Sequence, residues 1–151
     1  MISASTTLDA FVTSIRTRLA TELSFAQNRV FLVDKLRMSD SAVPNLQIEL
    51  MSLTAVADNT GLNVSTIEYK VHAVVKVEKD FGKSSTQRLS DTKSAFLVAR
   101  NAANALRLWK PDTGSSNQVW TRLDSGSHDD AAGLASASAS FRSFIRLMDD
   151  G

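Results

Sequence analysis

Residues 133–148, Gly-Leu-Ala-Ser-Ala-Ser-Ala-Ser-Phe-Arg-Ser-Phe-Ile-Arg-Leu-Met, alternate small side chains with a period of two. That is the period of a β-strand, whose successive residues face opposite sides of a sheet. A helix would mix these residues on every face, so the segment is a strand. Its Ala/Ser half lets another backbone, or another subunit, come close on either face. Its second half carries Phe141, Phe144 and Ile145 with Arg142 and Arg146 between them, so its two halves meet different surroundings.

Elements of both periods precede this strand. Leu8, Phe11, Val12, Ile15, Leu19 and Leu23 recur at helical spacing and predict a first helix over 7–23, starting at a capping-box-like Thr6 and Asp9. Residues 28–33 form a short apolar run of strand type. Residues 34–45, polar and holding Pro44, read as a connector or edge segment. Leu46, Ile48 and Leu50 alternate with Gln47, Glu49 and Met51 in a half-buried strand, and Asp58-Asn59-Thr60-Gly61 reads as a turn.

Residues 66–78 form the clearest strand. Ile67, Tyr69, Val71, Ala73, Val75 and Val77 share one face; Glu68, Lys70, His72, Lys76 and Glu78 share the other, with Val74 the exception. Residues 80–88 read as a loop. Ser90 and Asp91 read as the cap of a second helix running to Trp109, with Phe96, Ala99, Ala103 and Leu106 as its stripe and Pro111 beyond its end. A short strand over 119–123 and a Ser/Gly/Asp loop over 124–132 precede the final strand.

The order implies one α+β domain over 1–151: an antiparallel or mixed sheet of about four to five strands, with two amphipathic helices packed on one face. The second sheet face then meets solvent or an oligomer.

Composition narrows the chemistry. The chain has 17 basic and 16 acidic residues, a net charge of +1, without the basic excess of a dedicated nucleic-acid binder. It has no cysteine, which excludes disulfides and thiolate metal sites. We expect no signal peptide at residues 1–7, and no apolar run approaches the roughly 20 residues of a membrane span. Nucleophile-elbow and phosphate-loop patterns are absent. The metal-ligand types at His128-Asp129-Asp130 are consecutive, and a solvated loop is the preferred reading. Asp149 and Asp150 read as solvated acids, and His72 as a cross-strand hydrogen-bonding residue. No catalytic, cofactor or metal residue is assigned. Trp109 and Trp120 read as a local cluster closing the core. Lys83 and Arg88, on the 80–88 loop, are either a plain connector or a recognition element. Arg142, Phe144 and Arg146 are either an exposed strand face or a subunit contact, a role for which Arg and aromatic residues are enriched. These five form the candidate subunit interface.

In layout, the chain resembles the tail terminator (tail-completion) proteins of long-tailed bacteriophages. The likeness lies in the helix over 8–23, the strand Ile67-Glu68-Tyr69-Lys70-Val71-His72-Ala73-Val74-Val75, the helix over 95–109 ending in Lys110-Pro111, and the strand over 141–147 after an acidic, glycine-containing loop. Residues 34–45 and the Ala/Ser alternation at 135–140 depart from that pattern. The resemblance implies a non-enzymatic virion protein, assembled in the host cytoplasm. It would form a ring, commonly a hexamer, at the head-proximal end of the tail. The ring would stop tail-tube polymerisation and offer a surface for head joining. Its partners would be further copies, the tail tube protein, the sheath protein in contractile tails, and head–tail connector proteins; no membrane and no specific nucleic-acid sequence are implied. Another neck or head-completion connector is the nearest alternative, and a small α+β ligand-binding domain or enzyme a more distant one.

Overall fold

A computed structural model describes residues 6–38, 43–55, 64–76, 85–111, 114–129 and 133–147; at 85–93, 125 and 127–129 only the backbone is described. Helix α1 spans Leu8–Leu23. Its cap is Thr7, whose Oγ accepts the Ala10 N–H at 3.1 Å. The expected Thr6 cap is one residue early, because Thr6 N–H is taken by the Arg146 carbonyl at 2.8 Å, tying Thr6 beside the last strand. At the other end Ser24 adopts a left-handed conformation (φ 57°), which lets Phe25 N–H reach the Ala20 carbonyl at 2.9 Å. Phe11, Val12, Ile15, Leu19 and Ala20 form the buried stripe.

A 3₁₀ turn at Gln27–Arg29 leads into strand β1, Val30–Val33. Strands β2 (Asn45–Ala55) and β3 (Val64–Lys76) follow, then helix α2 (Ser85–Leu106), β4 (Val119–Asp129) and β5 (Leu134–Arg146). The expected 58–61 turn lies outside the described residues. The sheet order is β1-β2-β3-β5-β4. Only β1–β2 is parallel, so the sheet is mixed and the fold α+β, as the order of elements implied. Its core face is the one expected for β3. Ile67, Tyr69, Val71, Ala73 and Val75 are buried there, opposite Ser143, Phe141, Ala139, Ala137 and Ala135 of β5. Phe11 of α1 meets Tyr69 edge-on at 6.0 Å, and Tyr69 stacks on Phe141 at 5.3 Å. Both helices join this one apolar cluster.

The Ala/Ser alternation of β5 divides by face. Its alanines pack on the core side, where α2 contributes Ala95, Ala99, Ala102 and Ala103; small residues on both elements permit close helix–sheet approach. Its serines lie on the outer face, and β4 comes close beside them. A Cβ on Gly126 would stand 2.2 Å from Ser136 Oγ and 2.9 Å from its carbonyl oxygen. The expected 124–132 loop is instead strand as far as Asp129. Ser and Gly are weak strand formers alone, but here Ser125 pairs with Ala137, His128 with Ala135 and Asp129 with Leu134, with an irregularity at Gly126 and Ser127 between them.

The ends of α2 also differ from expectation. It begins at Ser85, so Ser90 lies inside it rather than at its cap: no proline or glycine in 85–90 stops the extra turn. It ends at Leu106, because Leu108 turns left-handed (φ 60°) and pairs with Gln118. Arg18 of α1 holds that end, donating from Nε to the Ala105 carbonyl at 3.0 Å, with its guanidinium 5.3 Å from the Trp109 ring centroid. Trp109 packs on the core as expected, whereas Trp120 is exposed at the start of edge strand β4.

Candidate assembly surface

The outer face of the sheet has a covered half and an open half. In the covered half, Asn45, Gln47, His72, Val74, Ser136 and Ser138 are buried. Gln47, expected to face outward, is buried because it clamps the β1–β2 connector: its amide receives Arg37 N–H at 2.9 Å and donates to the Arg37 carbonyl at 2.9 Å. His72 Nε2 lies 2.7 Å from Glu49 Oε1, a diagonal cross-strand contact of the kind the sequence suggested.

The open half is built by the ends of four strands. Across it run two registers: Ser52–Glu68–Arg142–Val119 on the outer side, and Leu50–Tyr69–Phe141–Trp120 on the core side. Arg142 and Phe144 lie on this face with Val119, and Phe144 is 45% exposed. Arg142 stands directly opposite Glu68 in register, yet Glu68 Oε2 is met by Ser52 Oγ at 3.4 Å and Arg142 makes no ion pair among the described residues. Arg146 shares their face and is half-buried at the end of β5.

A buried polar network holds this end of β5. Tyr69 donates from its hydroxyl to Gln118 Oε1 at 2.5 Å; Gln118 Nε2 donates to Ser143 Oγ and to the Ser116 carbonyl, each at 3.1 Å. Ser116 Oγ in turn accepts the Phe144 N–H at 2.9 Å. The backbone around Phe144 is therefore fixed from the core. Burial raises the Tyr69 hydroxyl well above its ordinary pKa.

Three of the five candidate residues are described with their side chains. Arg142, Phe144 and Arg146 share one face. Lys83 lies outside the described residues. Arg88 is within α2 rather than on a loop, and its side chain is not described. Sequence reasoning missed Met51, Leu53, Val119 and exposed Trp120, because each is an ordinary strand residue whose exposure depends on where neighbouring elements stop.

Among the described residues, no three His, Asp or Glu side chains gather as a metal site, and no helix is long and apolar enough to cross a membrane. The concavities are shallow surface clefts; one of about 410 Å³ between α1 and α2 is lined by Arg18, Glu22, Phe25, Val98, Asn101 and Asn104, without a convergent set of catalytic groups.

No protein-family model matches the chain, and no curated protein matches it in sequence. In fold it is similar to a chain from the virion of a native gene transfer agent particle, with a TM-score of 0.54 at 10% identity, over 95% of this chain and 99% of that one.

Proposed function

We propose that this chain is a structural virion protein and, within that class, a tail terminator: a ring of identical subunits at the head-proximal end of a tail, which stops tube polymerisation and receives the head. The observation that carries the reading is the end-to-end correspondence of fold with a virion chain, which leaves neither protein with a large unmatched part. The open sheet face supports it. Arg142 without an ion pair among the described residues, beside exposed Phe144 and Val119, suits a partner surface better than a reaction centre. A ring requires a heterologous contact, one patch meeting a different patch on the next copy.

Light scattering and electron microscopy of the purified chain, alone and mixed with tail tubes, test the reading. Rings in solution, or caps at tube ends, are expected. Arg142→Glu with Phe144→Ser should lower assembly by about tenfold or more while leaving the thermal midpoint within a few degrees. A monomer that neither assembles nor caps tubes refutes tail termination.

A further inference from the structure

The sheet has two open edges that match each other. On one side, β1 pairs with β2 only over Leu46–Glu49, so the outer edge of β2 from Leu50 to Ala55 has no strand beside it among the described residues. On the other side, β4 is the edge strand, and the bridge from Arg107 to Gln118 ends just before Val119. Both edges display an apolar couple: Met51 and Leu53 are 47% and 46% exposed, Val119 and Trp120 44% and 42%. The flanks of the bulge at Met51 align across the sheet with the β4 couple, Leu50 through Tyr69 and Phe141 with Trp120 and Ser52 through Glu68 and Arg142 with Val119, and Leu53 lies one row further on with Ile67 and Ser143.

Edge strands are ordinarily guarded by charge, proline or a covering segment. Leu-Met-Ser-Leu-Thr-Ala at 50–55 has no charged residue and no proline, and its last five residues are all exposed. The facing segment of β4 has its charges matched internally, Arg122 to Asp124 at 2.7 Å, and so presents no net charge to a neighbour. Successive antiparallel pairings through β3 and β5 leave β2 and β4 running in opposite directions. A second copy set beside the first in the same sense therefore brings its β4 antiparallel to β2.

We propose that copies of this chain join by sheet-edge addition, β2 residues 50–55 of one copy pairing with the start of β4 of the next. This rests on the ring reading and specifies its contact. Trp120 meets Leu53 on the core side of the continued sheet, Val119 lies on its outer side, Met51 sits at the bulge between, and main-chain hydrogen bonds continue the sheet from subunit to subunit. The contact is heterologous and leaves one edge of each kind free, so it propagates until the rotation closes a ring.

The chain has no cysteine, which makes introduced pairs unambiguous. Met51→Cys or Leu53→Cys is combined with Val119→Cys or Trp120→Cys in the full chain. Each variant is checked for an unchanged thermal midpoint, oxidised mildly, and sized by non-reducing gel and light scattering. At least one combination should give a ladder of disulfide-linked multimers, while single-cysteine variants give none. Without any cross-link, Leu53→Lys should raise the concentration needed for assembly by about tenfold or more. Dimers from a single-cysteine variant overturn the proposal in favour of an isologous edge contact. A ring that forms with no cross-link in any combination overturns the edge contact and leaves the ring reading standing. A chain that stays monomeric with or without tubes, with no cross-link, overturns both.

Discussion

Replacing Tyr69 with Phe isolates one buried hydrogen bond. The ring keeps its stack on Phe141 and its edge contact with Phe11, so only the hydroxyl is lost. Gln118 is fully buried, and Tyr69 is the donor to its Oε1. The variant leaves that oxygen without a partner while Nε2 remains held by Ser143 and the Ser116 carbonyl, so the amide cannot turn to relieve the loss. An orphaned buried acceptor costs about 1–3 kcal/mol. In a chain of this size each kcal/mol shifts the midpoint by about 2–4 °C, so a drop of roughly 2–12 °C is expected in differential scanning calorimetry. A double-mutant cycle with Gln118→Met should return a coupling of about 0.5–3 kcal/mol.

The same hydroxyl makes a pH test. Burial raises the Tyr69 pKa in the folded chain, so above about pH 10 the unfolded chain releases a proton that the folded chain keeps. Stability from this group is therefore complete below pH 10 and falls as pH rises beyond it, by up to about 1.4 kcal/mol per unit. Tyr69 is the only tyrosine, so tyrosinate absorbance reports it alone. Absorbance should stay low past pH 10 and then rise together with unfolding, and the alkaline slope of stability should flatten in Tyr69→Phe. A tyrosine that titrates near pH 10 in the folded chain, with a variant of unchanged midpoint, refutes the reasoning.

Two further expectations concern close approach. Gly126→Ala sets a methyl against Ser136 and should cost about 1–3 kcal/mol in chemical denaturation, with Ser136→Ala relieving only part, because the 2.9 Å contact with the carbonyl oxygen persists. Ala99→Leu wedges α2 away from the sheet and should cost a similar amount, about 1–3 kcal/mol, by the same assay, since Ala99 is wholly buried in the common core.

Residue periodicity alone determined α1, the two faces of β3 and the strand character of β5, because a helix stripe and a strand alternation are both written in neighbouring residues. It also placed Arg142, Phe144 and Arg146 on one face of one strand, which the register bears out. Tertiary structure decided where elements stop and what covers them. Ser90 has a capping residue's chemistry, yet α2 begins five residues earlier; residues 125–129 look like loop, yet pairing of Ser125, His128 and Asp129 with β5 makes the segment strand. Gln47 and His72 alternate as solvent-facing residues should, yet both are buried. Trp120 has the bulk of a core residue and stands open at an edge. For Gln47 and for residues 125–129 the deciding energy comes from a partner distant in sequence, a clamped connector and a neighbouring strand, and no local pattern carries that information.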